Sequence, residues 1–152
     1  MDKPFRVFTD GSAIGNPGPG GWGAVLIQGK NRWEMSGGSP WTSIEEMELL
    51  AAIEALGSIS TGSVVELRSD SEYLIHGMRT LVFRWQSQGW RNRRGTQLQH
   101  RDLWAELVQL NARLQVRWLW IKGHNGHPVQ SRADALAYEA ARLLCLEQRI
   151  AA

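Results

Sequence analysis

Three β-rich segments lie close together near the start of this chain, and their spacing limits how they can pair. Residues 4 to 9, "PFRVFT", stop at Asp10-Gly11, so the strand's last residue, or the one after it, is the aspartate. After a Gly/Pro loop, "WGAVLIQGKNRWEMSGGS" reads as two further strands joined by a short turn at Gly29 to Asn31. Parallel neighbours need a crossover of about a dozen residues or more, whereas antiparallel ones need only a hairpin. The spacing therefore predicts an antiparallel meander.

The rest of the chain alternates helix and strand. In "TSIEEMELLAAIEALGSIS", Thr42 or Ser43 can cap a helix with Glu45 or Glu46 three residues on, and Gly57 can end it. "SVVELRSD" predicts a fourth strand ending at Asp70, then a helix from Ser71, with the Arg/Trp segment passing from helix into a loop near Gly89. Leu103, Leu107, Leu110 and Leu114 form a helical stripe, "QVRWLWIKGH" predicts a fifth strand, and Pro128 opens a last helix. The order βββαβα…αβα, without repeats or low-complexity linkers, predicts one α/β domain over residues 1–152: a mixed five-stranded sheet flanked by helices, its final residues fraying.

At 152 residues the chain can bury a core unaided. Its single cysteine, Cys145, excludes a disulfide framework and a Cys-rich metal site. No apolar signal core opens "MDKPFRVFTD" and no run approaches a membrane span, so the expected location is cytoplasmic and no membrane partner is expected. The net charge of +2 is too small to imply nucleic acid by itself. Its placement is uneven: no acid lies between Glu72 and Asp102, an interval holding Arg79, Arg84, Arg91, Arg93, Arg94, Arg101, Trp85 and Trp90.

"GPGGWG", Gly18 to Gly23, matches the glycine pattern of dinucleotide-binding loops, but the context opposes it. That pattern needs a helix N-terminus after it to hold a phosphate, whereas "AVLIQ" continues as strand and Pro17 and Pro19 remove amides. The expectation is a wide turn between antiparallel strands.

Four acids sit in awkward places. Asp10 and Asp70 each end a predicted strand, where open α/β sheets place ligand groups, and on adjacent strands they would face each other. Glu48, in "MELLAAI", is flanked by residues that should be buried, and Asp134, in "RADALAY", lies on a helix whose alanines and leucines must pack. Each alone reads as a turn former or as a solvated group paired with an arginine such as Arg132 or Arg68. Together they form the all-oxygen set that Mg²⁺ or Mn²⁺ requires, and two ions about 3.5 to 4 Å apart suit phosphodiester hydrolysis.

From "FTDGSAIGNPGPGGWGA" through "MELLAAIEAL", "SDSEYL", "GW", "DLW" and "WIKGHNGHP" to "RADALA", the chain resembles the bacterial type 1 ribonucleases H. The resemblance implies a ribonuclease H-like fold and cleavage of the RNA strand of RNA/DNA hybrids, leaving 5′-phosphate and 3′-hydroxyl ends. It implies Asp10, Glu48, Asp70 and Asp134 as metal-binding catalytic carboxylates, with Mg²⁺ or Mn²⁺, two ions when substrate is bound. It implies His124 as a mobile histidine aiding proton transfer or product departure, while His127 reads as an ordinary cap or core group. Substrate contacts are expected from Gly11, Asn16, Ser43 and Glu72, and from Arg84, Trp85, Trp90 and Arg91 of a basic protrusion, in a monomer.

Several positions depart from the family pattern. Ile44, Glu45 and Glu46 stand where asparagines and a basic residue are common, Glu72 where a glutamine is usual, and Gln86, Ser87 and Gln88 where lysines or arginines are frequent. Fewer cations release fewer counterions, so weaker and less salt-sensitive hybrid binding is expected. Two other functions share this fold: a non-catalytic module binding hybrid or double-stranded RNA, and a nuclease acting on DNA.

Overall fold

The computed structural model describes residues 2–123 and 126–151. The meander is β1 (Phe5–Ala13), β2 (Gly18–Gln28) and β3 (Asn31–Thr42), followed by α1 (Ile44–Gly57) and β4 (Val64–Ser69). Then come α2 (Glu72–His76), a π-helical turn (Gly77–Leu81), α3 (Val82–Ser87), α4 (Arg101–Arg113), β5 (Gln115–Trp120) and α5 (Pro128–Ala151). The sheet order is β3-β2-β1-β4-β5. β1, β2 and β3 pair antiparallel, while β1–β4 and β4–β5 are parallel, as the crossover argument requires.

Strand alternation sends side chains to two cores. Val7, Leu26 and Leu67 join the large cluster with Leu49, Leu56 and Ile53 of α1 and Trp104 and Leu107 of α4. Phe8 and Val25 point the other way, onto Ala133 of α5. α1 buries residues on nearly every side, Met47, Leu49, Ala51, Ala52, Ile53, Ala55 and Leu56, because the sheet covers one flank and α4 another. Its N-cap is Ser43, whose hydroxyl accepts from Glu46 N–H at 3.2 Å, and the Glu46 carboxylate takes the Thr42 hydroxyl.

Two expectations need correction. "GPGGWG" is not a turn: it lies inside β2, and the connection before it is short. Its glycines serve packing, because a Cβ at Gly21 would collide with the Ala137 carbonyl and one at Gly23 would come within 2.5 Å of the Ala133 carbonyl, so α5 lies directly on the strand backbone. Nor does β1 end near Asp10. It runs on to Ala13, paired with β2 through Asp10↔Gly23 and Ala13↔Gly20 after β4 has left it. On α4 the leucine stripe holds, with Leu107 fully buried and Leu103 and Leu110 partly so, but Trp104 beside it is buried just as completely, its indole N–H meeting the Tyr73 hydroxyl at 3.2 Å.

Candidate active site

The last residue pair of the parallel β1–β4 ladder is Phe8↔Arg68. Asp10 and Asp70 each stand two residues beyond it, so the two carboxylates leave the sheet side by side. At this point β4 turns away: Ser71 caps α2, accepting from Leu74 N–H at 3.1 Å, while Ser69 Oγ accepts from Ser71 N–H at 3.0 Å. Trp120 Nε1 donates to the Asp70 backbone carbonyl at 3.2 Å, and Gly123 passes so close that a Cβ there would lie 2.8 Å from Asp70 Oδ2.

Glu48 arrives from α1 because Gly11 has no side chain. A Cβ at Gly11 would sit 2.5 Å from Glu48 N and 2.7 Å from the Met47 carbonyl carbon, so α1 rests on the β1 backbone at this point. Ser71 Oγ then donates to Glu48 Oε2 at 2.6 Å. One carboxylate oxygen from each of Asp10, Glu48 and Asp70 lies within 4.8 Å of the others. Asp134, exposed on α5, stands outside that trio but lines the same small cavity as Asp10.

The electrostatics follow from this crowding. Burial, above all, and then the charges of Asp70 and Asp134 push the Asp10 carboxyl up to about 8, against the lowering effect of the Gly11 N–H that it accepts at 2.9 Å. Glu48 is pushed up to about 7, again chiefly by burial, with Asp70 and Glu45 adding to it and the Ser71 hydroxyl opposing. The arginines that might have neutralised these acids are used elsewhere. Arg132 clamps Glu34 with two hydrogen bonds of 2.9 Å, and Arg68 contacts Glu66 at 3.4 Å and lies over the Phe8 ring. A set of closely spaced, reluctantly ionised carboxylates with no sulfur or imidazole among the trio fits a hard divalent cation, which would hold all three ionised.

Around the trio lie residues that the sequence reading did not single out. Ser71 fixes Glu48. Lys122 and Gln130 line a cavity of about 30 Å³ together with Asp10, Asp70, His127, Ser131 and Asp134. Gln130 is buried and donates to the Thr9 carbonyl at 3.1 Å, tying α5 to the strand beside Asp10. Its place one helical turn before Asp134 on the same predicted helix was the signal available for it. His127 has the expected structural role, stacking on Phe8 at 5.1 Å, with Nδ1 facing Gln130 N–H at 3.5 Å. His124 lies outside the described residues.

On the open side, Asn16, Ile44, Glu45, Glu48, Asp70 and Ser71 border a groove that continues past Glu72, Tyr73 and Trp120. Asn16 is held there by its Oδ1, which accepts from Ile44 N–H at 3.0 Å, and Ser43 is engaged as the α1 cap. The basic segment projects elsewhere. Trp85 and Trp90 are half-buried and anchor it on the main core, Trp85 lying 5.1 Å from Trp104 between ring centroids. Arg84 and Arg91 are exposed, and Arg91 Nη1 donates to the Gly95 carbonyl at 2.8 Å.

Known proteins resemble this chain in sequence and fold. A family model described as RNase H matches residues 2–142. The chain is 47% identical over 141 residues to a ribonuclease H of Erythrobacter litoralis, covering 93% of this chain and 98% of that one. It is 46% identical over 142 residues to a ribonuclease HI of Caulobacter vibrioides, covering 93% and 95%. Among solved structures, LC9-RNase H1, a type 1 RNase H with the type 2 active-site motif, superposes with a TM-score of 0.82 at 31% identity, covering 93% of this chain and 74% of that one. With its mixed sheet and converging carboxylates, the chain belongs to the ribonuclease H family.

Proposed function

We propose that this protein is a metal-dependent endoribonuclease that hydrolyses the RNA strand of RNA/DNA hybrids, leaving 5′-phosphate and 3′-hydroxyl ends. The observation that carries the reading is the trio of Asp10, Glu48 and Asp70 oxygens within 4.8 Å of one another, in a chain of this family. Asp10, Glu48 and Asp70 would hold the first divalent ion, Mg²⁺ or Mn²⁺, and Asp134, beside Asp10, would help to hold a second. Such ions, when bound, supply Lewis-acid charge to the attacked phosphate and lower the pKa of water.

The protein's own groups set the geometry. Ser71 orients the Glu48 carboxylate and the Gly11 amide orients that of Asp10. The 2′-hydroxyl, present only on RNA, is both donor and acceptor, so it suits backbone groups near Gly11 and the Glu48 carboxylate. Asn16, Ser43 and Glu72 would border the hybrid, and Arg84, Trp85, Trp90 and Arg91 would meet the backbone of the DNA strand. His124 would move a proton or speed product departure. A single-domain monomer acting in the cytoplasm completes the reading.

The test is a labelled hybrid with Mg²⁺ or Mn²⁺, beside double-stranded RNA and all-DNA duplex. Expected is cleavage of the hybrid's RNA strand alone, abolished by a chelator. Tight hybrid binding by folded protein with no turnover would select a non-catalytic module, and cleavage of the DNA duplex would select a DNA nuclease. His124→Ala is expected to slow turnover without losing metal binding; an unchanged rate at saturating substrate would remove that role.

A further inference from the structure

A cavity of about 800 Å³ lies beside the carboxylates, lined by Glu72, Tyr73, Ile75, His76, Arg79, Thr80 and Trp120. Glu72, Tyr73 and Trp120 also line the groove containing Glu48 and Asp70, so the two spaces are continuous. Ile75, His76, Arg79 and Thr80 line only the larger one and carry it away from the reacting centre.

Three features of this extension favour one ligand class. Trp120 is 45% exposed, yet its ring is steadied by the indole N–H bond to the Asp70 carbonyl, which leaves an aromatic surface presented to the cavity. Arg79 is exposed, and among the described residues no carboxylate pairs with it. Arg79 and Thr80 reach the cavity from the π-helical turn, where Val82 N–H bonds to the Gly77 carbonyl five residues back. Gly77 permits that turn's close approach, since a Cβ there would run into the Trp104 ring. Helices rarely keep such a turn, and those that do often place it at a functional site.

We infer that this cavity binds an unpaired nucleotide of a single-stranded extension running out of the hybrid, its base against Trp120 and its phosphate toward Arg79 and Thr80. Inside a duplex the base faces are covered by their neighbours, so a fixed tryptophan has nothing to stack on there. A single strand offers an open face to any aromatic platform, with little dependence on sequence. Glu72, the one carboxylate in the lining, stands at the end shared with the reacting groove, which leaves the Arg79 end for the phosphate. The inference rests on the hybrid-cleaving reading and adds a preference for hybrids flanked by single strands.

The test compares one hybrid core in blunt form with the same core carrying five unpaired nucleotides at either end of the RNA or of the DNA strand. Binding is followed by fluorescence anisotropy with a chelator present, and cleavage with Mg²⁺. At least one extended form is expected to bind about tenfold more tightly than the blunt core, which corresponds to one stacked base. The arm showing the gain identifies the strand. Arg79→Ala is expected to reduce that ratio severalfold and to lower the salt slope of the extended form by about 1. Trp120→Phe, which keeps an aromatic face without the bond to Asp70, is expected to retain most of the ratio. Equal affinity of blunt and extended hybrids for the unaltered protein, or a tenfold ratio surviving Arg79→Ala, overturns the inference. Absence of cleavage from every hybrid would instead sink the activity itself, while the anisotropy ratio still decides the site.

Discussion

The carboxylate end of the sheet and the basic segment between residues 82 and 100 carry opposite charges and are held by opposite means. The acids sit on closely packed backbone: α1 rests on β1 at Gly11, α5 on β2 at Gly21 and Gly23, and Gly123 lies against the Asp70 side chain. The basic segment hangs on buried Val82, on Trp85, Trp90 and Leu98 at the edge of the core, and on the isolated bridge Arg91↔Gln97, with its arginines in solvent. Like charges forced together in a dry place are coupled, so each acid depends on the others. Solvated cations act one at a time, and each contributes little. Substitutions at the two ends should therefore differ in size, in additivity and in their response to salt.

The largest effects belong to the acids. Asp70→Asn and Asp10→Asn are expected to lower hybrid turnover by about a thousandfold, roughly 4 kcal/mol of barrier, with Glu48→Gln also severe and Asp134→Asn milder. Steady-state kinetics at saturating Mg²⁺ check the ranking, and equal losses at all four would erase the distinction between the trio and Asp134. Next, Gly11→Ala drives a methyl group into the α1 backbone, which has no flexible end to give way. A loss of about 3 kcal/mol in a denaturant titration is expected, with weakened metal binding. A neutral result would show that α1 does not rest on Gly11.

The coupling of the acids also predicts an unusual pH dependence. Between the ordinary aspartate value of 3.8 and about 8, the metal-free folded protein keeps a proton on Asp10 that the unfolded chain has released. Stability without metal should therefore fall as pH rises through that window, by an amount on the order of 2 kcal/mol, and Asp10→Asn should flatten the curve and raise the melting temperature at pH 8. Adding Mg²⁺ should restore stability at the high end. A metal-free protein that grows more stable between pH 5 and 8 would contradict this account of Asp10. The smallest effects are expected in the basic segment. Arg84→Ala and Arg91→Ala should each weaken hybrid binding by about three- to fivefold, losses that add in the double variant and shrink at high salt. Strongly non-additive losses would mean that the segment is a coupled site like the acids.

Much of the helical framework could be read from local chemistry. Ser43, one of the two cap candidates, caps α1, the helix expected from Ser71 begins at Glu72, and Pro128 opens α5. What escaped the reading was non-local. The glycines of β2 look like turn formers because their torsional freedom is visible in a sequence, whereas the helix pressed against them is not. Trp104 lies outside the leucine stripe of α4, and only the Tyr73 hydroxyl opposite its indole shows why it can be buried. Ser71 marks a helix start in the sequence; that its hydroxyl caps α2 and also reaches Glu48 depends on how α1 meets β4.

The sequence by itself determined the number and relative direction of the strands, because connection lengths permit antiparallel pairing in the meander and helical crossovers afterwards, whereas their order in the sheet did not follow from it. It also marked Asp10, Glu48, Asp70 and Asp134 as a set that together suits a divalent cation. Only the tertiary structure decided which of them converge within one ion's reach, since that depends on helices closing onto bare glycine backbone. It alone also decided that a π-helical turn and Trp120 open a second cavity beside them, because neither feature follows from the preferences of any local stretch of chain.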